Sequence, residues 1–299
     1  MKHREYPLPD STICQTASGP LEYAIVGEGP HILCFHGGPG GFDQSALTFD
    51  MFADAGFSLI CISRPGYLGT PLATGRTIAD QADVAAALLD ALGIDRVFVM
   101  GASAGGPPTY EFALRHPERT KAIIVIDGVS RKYLMPDQAG RVEQALFLSD
   151  PGLKFELMLG DFFPRSIVAE MIKTEGRLSK EELKSRVGHI MSDEKKLDYI
   201  LKLFHTLYPY SRRKEGTEND LANYSQIDAL PVAKITAPAL IIHGTADADV
   251  DIGDALYAAD AIKGAEHFWI EKGTHFCFWA SPQAEEAQQA AIDFLKRHQ

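Results

Sequence analysis

The segment Gly101-Ala102-Ser103-Ala104-Gly105 constrains this chain more than any other. The apolar run Arg96-Val97-Phe98-Val99-Met100 before it reads as a buried strand, and Thr109-Tyr110-Glu111-Phe112-Ala113-Leu114 after it reads as a helix. A strand that passes into a helix through five small residues must reverse sharply. A side chain at either flanking glycine would collide with the neighbouring strand or helix. The serine at the turn then presents its hydroxyl outward, toward the amides of the helix N-terminus. Pro107 and Pro108 fall in the first helical turn, where amides lack intrahelical partners. A tight turn without chemistry would look the same, so the rest of the chain must decide.

Upstream, the short strand Ile32-Leu33-Cys34-Phe35 runs into His36-Gly37-Gly38-Pro39-Gly40-Gly41. So many glycines let backbone amides approach a ligand closely. The amides of Gly38 and Ala104 are candidate donors to an oxyanion, and Pro39 and Phe42 on this loop are candidate pocket residues. Downstream, the strand Pro238-Ala239-Leu240-Ile241-Ile242 leads into His243-Gly244-Thr245-Ala246-Asp247. A carboxylate just past a strand's C-terminal end lies on the face where open α/β sheets bind ligands. Asp247 is the first choice for an acid, with Asp249 as fallback. Asp127, closing the strand Ala122–Ile126, is a third candidate, better read as a polar cap where the chain leaves the sheet. Of ten histidines, His275 alone lies in a loop after the last expected strand, Glu266–Ile270. His36 and His243 precede glycines at strand ends and read as loop-orienting groups.

Together with Ser63-Arg64-Pro65-Gly66-Tyr67-Leu68-Gly69, these segments resemble the α/β-hydrolase superfamily of serine hydrolases. The resemblance rests on HGGPG at 36–40, SRPGYLG at 63–69, GASAGG at 101–106, HGTAD at 243–247 and GTHF at 273–276. It spans most of the chain outside a middle segment. It implies an α/β-hydrolase fold, a mostly parallel eight-stranded sheet flanked by helices with a helical cap insertion. It also implies Ser103 as nucleophile, Asp247 as orienting acid and His275 as base, in the superfamily's order Ser…Asp…His. HGGPG is similar to the oxyanion loop of proline iminopeptidases. The elbow departs from their usual G-G-S-W-G and is nearer to esterases, non-metal haloperoxidases and C–C bond hydrolases. The expected activity is hydrolysis of a carboxylic ester of a small to medium, largely apolar substrate. An aminopeptidase is the alternative, for which Glu215, Glu218 and Asp220 are available to bind an amine. A slow-turnover ligand receptor on the same fold is a third reading.

The chain of 299 residues suits one large α/β domain with an insertion, and its 45% hydrophobic content suits a globular interior. A net charge of −11 argues against nucleic acid or an anionic membrane as partner, leaving a small-molecule substrate. The segment Met1–Pro7 is basic but has no apolar run behind it, so it does not read as a secretory signal. Cys14, Cys34, Cys61 and Cys277 are scattered, which predicts a reducing, cytoplasmic setting and no metal site. Neither a phosphate loop nor a dinucleotide fingerprint occurs, and the expected chemistry needs no cofactor. Nothing in the sequence specifies an oligomeric state.

Strand and helix patterns alternate up to residue 130 and return from 231 to 299. Between them, residues 131–230 lose β-branched runs and gain helical stripes, as in Leu197, Ile200, Leu201, Phe204 and Leu207. This segment is expected to be a cap over the site. Phe162, Phe163, Tyr208, Tyr210 and Tyr224 within it, and Phe276 beside the base, are candidate pocket residues. Thr77–Asp80 and Ser179–Glu182 read as helix-starting capping boxes.

Overall fold

The computed structural model describes residues 8–135 and 149–299. The reading of Met1–Pro7, and the part of the insertion at 136–148, lie outside the described residues. Eight strands form one sheet: β1 (Thr12–Thr16), β2 (Gly19–Val26), β3 (His31–Phe35), β4 (Ser58–Ile62), β5 (Val97–Ala102), β6 (Thr120–Ile126), β7 (Ala239–Gly244) and β8 (Glu266–Ile270). The spatial order is β1-β2-β4-β3-β5-β6-β7-β8. The pairs β1–β2 and β2–β4 are antiparallel, and the remaining neighbours are parallel. β3 to β7 are buried almost throughout, as parallel strands covered on both faces must be.

Helices α1 (Phe42–Thr48), α2 (Asp50–Asp54), α3 (Ile78–Ala91) and α4 (Gly106–Arg115) lie between the early strands. Helices α5 (Asp150–Phe162), α6 (Pro164–Thr174), α7 (Lys180–Ser192), α8 (Glu194–His205) and α9 (Lys214–Tyr224) follow β6. Then come α10 (Ile252–Ala261), α11 (Cys277–Ala280) and α12 (Ala284–Arg297). Two apolar cores flank the sheet. In one, Leu88 and Leu89 of α3 and Phe112 of α4 pack with Leu33, Val99 and Ile123. In the other, Phe294 and Leu295 of α12 and Phe52 of α2 pack with Ile32, Met100 and Ile124. Both capping boxes are formed, Thr77 with Asp80 at the head of α3 and Ser179 with Glu182 at the head of α7. Pro107 and Pro108 occupy the first turn of α4.

The strand order reverses between β3 and β5, because the chain leaves β3 toward β4 on one side and returns to β5 on the other. Such a reversal opens a crevice beyond the strands' C-terminal ends. Phe35 lies in register with Gly101, so the glycine loop after β3 and the turn after β5 emerge side by side. The helices after β6 bring an apolar core of their own, with Val168 and Ile172 of α6, Val187 and Ile190 of α7, and Ile200 and Phe204 of α8.

Candidate active site

Ser103 stands at the turn between β5 and α4 with φ +53°, a left-handed conformation that costs energy in a residue with a side chain. The flanking glycines show why the turn holds. A Cβ on Gly101 would strike Thr109 and the Gly105 carbonyl, and one on Gly105 would strike the Phe35 carbonyl. Only hydrogen fits where this turn crosses β3 and folds back on α4.

Asp247 and His275 come from the loops after β7 and β8. The His275 Nδ1 lies 2.8 Å from the Asp247 Oδ2. The other oxygen, Oδ1, accepts the amides of Asp249 at 2.8 Å and Val250 at 3.0 Å, which fixes the carboxylate. Both side chains are buried. Burial opposes a charged imidazole, but Asp247, with Asp249 and Glu175 behind it, outweighs burial and holds the His275 pKa well above its usual value. Asp249 is not idle: its Oδ2 lies 3.5 Å from His275 Nε2, the opposite ring nitrogen. Asp127 accepts the Gly244 amide at 2.9 Å from within the sheet's edge, and burial pushes its pKa up to about 7. That is the strand-end capping role expected of it.

The glycine loop is clamped at both ends. His36 Nδ1 lies 2.6 Å from the Gly37 carbonyl, and its Nε2 accepts the Arg64 amide at 3.0 Å. Those two partners require a neutral ring protonated on Nδ1. Burial, and then the charge of Arg64, hold its pKa well below the usual value. At the far end, Arg213 Nη1 donates to the Gly40 carbonyl at 2.7 Å, and its Nη2 pairs with Asp43 at 2.7 Å. A Cβ built on Gly38 would lie 3.4 Å from the Ala104 side chain, so the two backbones run close. The Gly38 amide has no hydrogen-bond partner among the described residues. The Ala104 carbonyl accepts the Tyr224 hydroxyl of α9 at 2.6 Å.

A cavity of about 620 Å³ opens over Ser103, between the sheet's C-terminal edge and the helices after β6. Gly38, Pro39, Ser103, Ala104, His275 and Phe276 line one side; Leu203 and Phe204 of α8, Leu207 just after it, and Leu221 and Tyr224 of α9 line the other. The charged lining is one-sided. Glu156, Glu170, Glu175, Asp127, Asp220 and Asp249 face it, and no lysine or arginine does among the described residues. Asp220 is already engaged, 2.7 Å from the buried Arg64 and accepting the Tyr67 hydroxyl at 2.7 Å.

Several pocket expectations need correction. Phe42 points into the core beneath α1. Tyr208 lies at the surface, where its carbonyl accepts from Arg213 and its ring stays outside the cavity. Tyr210 is buried in its turn away from the cavity, and Phe162 and Phe163 are 59% and 61% exposed. The aromatics that do line it from this segment are others, Phe155 of α5 and Tyr199 and Phe204 of α8, together with Tyr224 of α9. Glu215 and Glu218 do not reach the cavity. Cys277 and Phe278 join the core, whereas Trp279 lines the cavity and stacks on Tyr199 at 5.6 Å. Arg213, Glu175 and Tyr133 were not singled out from sequence. Their roles arise from long-range packing and left no local pattern.

Among the described residues, Asp127, His243 and Asp247, all buried, are the group that could gather a metal. Asp127 and Asp247 already accept backbone amides, and His243 Nε2 lies 3.0 Å from the Val250 carbonyl. The cluster therefore reads as a hydrogen-bonded support for the loop after β7. Among the described residues no helix is long and apolar enough to cross a membrane.

Comparison with known proteins agrees with this fold. The family model of the alpha/beta hydrolase fold matches residues 30–282. A solved structure of an alpha/beta hydrolase fold protein from Nakamurella multipartita is 36% identical, with a TM-score of 0.91, covering 96% of this chain and 99% of that one. The uncharacterized hydrolase YcgS of Bacillus subtilis is 28% identical over 282 residues, 93% of this chain and 95% of that protein. A 2-hydroxy-6-oxononadienedioate/2-hydroxy-6-oxononatrienedioate hydrolase of Paraburkholderia phymatum is 27% identical over 286 residues, 92% of this chain and 90% of that protein. The chain belongs to the alpha/beta hydrolase fold family and is a hydrolase of that fold.

Proposed function

We propose that this hydrolase cleaves a carboxylic ester of a small to medium, largely apolar substrate through an acyl-enzyme at Ser103. The observation that carries the reading is the Asp247–His275 pair at 2.8 Å, whose imidazole lines one mostly apolar cavity with Ser103 while Asp247 stands behind it. A serine hydroxyl is a weak nucleophile at neutral pH and needs an adjacent base. His275 takes the serine proton and passes it to the leaving alcohol, while Asp247 holds the Nδ1–H tautomer and stabilises the imidazolium. The Ser103 hydroxyl makes no hydrogen bond among the described residues, and such contacts often tighten only when substrate is bound. The amides of Gly38 and Ala104 bind the oxyanion, each worth about 3 kcal/mol in the transition state. Water then attacks the acyl-serine. Residues 131–230 act as a cap whose inner face selects the acyl group.

The Paraburkholderia relative is named for a dioate substrate. The lining here has several carboxylates and no described lysine or arginine to pair with a dianion, which disfavours a dioate. This supports a neutral substrate. Of the three carboxylates behind the aminopeptidase reading, Glu215 and Glu218 lie outside the cavity, and Asp220, which lines it, is already paired with Arg64. The test is a panel of neutral esters, lactones, a dienedioate and a prolyl amide, run with wild type and Ser103→Ala. Neutral esters should turn over fastest, and Ser103→Ala should lose at least about 10⁴-fold in kcat along with labelling by a fluorophosphonate. Preference for the dienedioate, or equal labelling of the variant, would overturn the proposal.

A further inference from the structure

We propose that Asp249 is a positioning residue for His275, a second carboxylate that engages the Nε2 side of the ring in the unliganded protein and competes there with Ser103. The inference rests on the proposed role of His275 as base. His275 has a carboxylate at each nitrogen, Asp247 Oδ2 at 2.8 Å from Nδ1 and Asp249 Oδ2 at 3.5 Å from Nε2. Nε2 is the nitrogen that must receive the serine proton. Asp249 is itself held in place: the Tyr133 hydroxyl donates to its Oδ1 at 2.6 Å, leaving Oδ2 turned to the ring. Tyr133 and Asp249 both line the cavity beside Ser103, so the contact lies where substrate would enter.

The remaining charged neighbours act in the same sense or stand further back. Glu175, at the end of α6, accepts the His275 amide through its carbonyl at 3.1 Å. Its carboxyl is raised to about 8 by burial, with Asp249 adding to the shift. Asp127 sits behind Asp247, with His243 between the strands, and the Cys277 thiol is raised by burial. An imidazolium flanked by Asp247 and Asp249 gives up its Nε2 proton to solvent less readily. Only after that loss can Nε2 accept the proton of Ser103. The consequence is a late base: hydrolysis rises with pH through a value above the ordinary histidine range.

The test replaces Asp249 by Asn, which keeps the shape and an acceptor for Tyr133 but removes the charge. The His275 imidazole is titrated by ¹⁵N NMR, assigned by its loss in His275→Gln, and kcat/KM for an activated ester is followed against pH. In Asp249→Asn the imidazole should titrate at lower pH than in wild type. The acid limb of kcat/KM should move the same way, giving a several-fold higher fraction of plateau activity below it. Asp249→Glu, which restores the charge, should return both toward wild type. An unchanged titration and an unchanged limb in a folded Asp249→Asn protein would overturn the proposal. If no ester is turned over, the functional reading fails, while the imidazole titration still decides the role of Asp249.

Discussion

Ser103, Asp247 and His275 stand on strand-end turns that admit no alternative packing, whereas the wall facing them is built of helices that leave large apolar side chains in water. The first group is set by contacts a few residues away: a hypothetical Cβ at Gly101 or Gly105 strikes backbone, and Asp247 is tied down by amides two and three residues on. In the second group Phe155, Met158, Phe162 and Phe163 are each at least 44% exposed. The helices are held to the core by long-range contacts instead. Arg64–Asp220 and Arg213–Asp43 are buried ion pairs that span the two regions. Gly216 lies so close to Gly66 that a Cβ on Gly66 would fall 2.6 Å from its Cα. The difference teaches that, on the proposed function, chemistry and selection would be separable: the turns would carry one, the helices the other, with a few buried contacts coupling them.

The strongest way to break that separation is at the acid. Asp247→Asn should lower kcat by about 10⁴-fold with little change in fold, because the wrong tautomer of His275 is then favoured. Asp127→Asn should leave kcat within a few-fold of wild type. Asp127 should instead show itself in stability. Its folded pKa, about 7, is raised by burial above the unfolded value of an aspartate, so its contribution is fully present near pH 4 and is lost as pH rises toward 7. Melting curves across that window should be flatter in Asp127→Asn. If Asp127→Asn is the crippling change and Asp247→Asn is nearly silent, the acid has been misassigned.

The coupling between regions is probed at Asp220. Asp220→Ala leaves Arg64 charged and buried without its partner, and should cost about 3–5 kcal/mol in urea unfolding. Replacing the exposed Lys154 on α5 by Ala should be nearly neutral by comparison. A near-neutral Asp220→Ala would mean that the helices are not anchored through this pair.

The smallest effect is expected at the wall. Leu203→Ala enlarges the cavity opposite Ser103 and should change discrimination between short and long acyl groups by about 1–3 kcal/mol in kcat/KM. Labelling of Ser103 by a small phosphonate should stay unchanged. Equal losses for every acyl length would show that α8 supports the turns rather than selecting substrate.

The sequence by itself determined the strands, their parallel alternation, the elbow at Ser103 and the placement of Asp247 and His275 after the last two strands. Those features follow from short-range rules: buried runs of β-branched residues, glycines where backbone crosses backbone, and residue types at strand ends. It also marked 131–230 as helical, and within the described part of that segment the capping box at Ser179–Glu182 formed as read. Only the tertiary structure decided which way those helices face. Phe42, Tyr208 and Tyr210 looked like pocket residues, yet core packing, solvent and a local turn claimed them, while Leu203 and Glu175 reached the cavity. It likewise decided that Asp249 meets the far side of His275 and that Arg213 grips Gly40 across 173 positions of chain. Helical periodicity gives a stripe but not the partner it packs against, and an ion pair between distant segments leaves no spacing in the sequence to find.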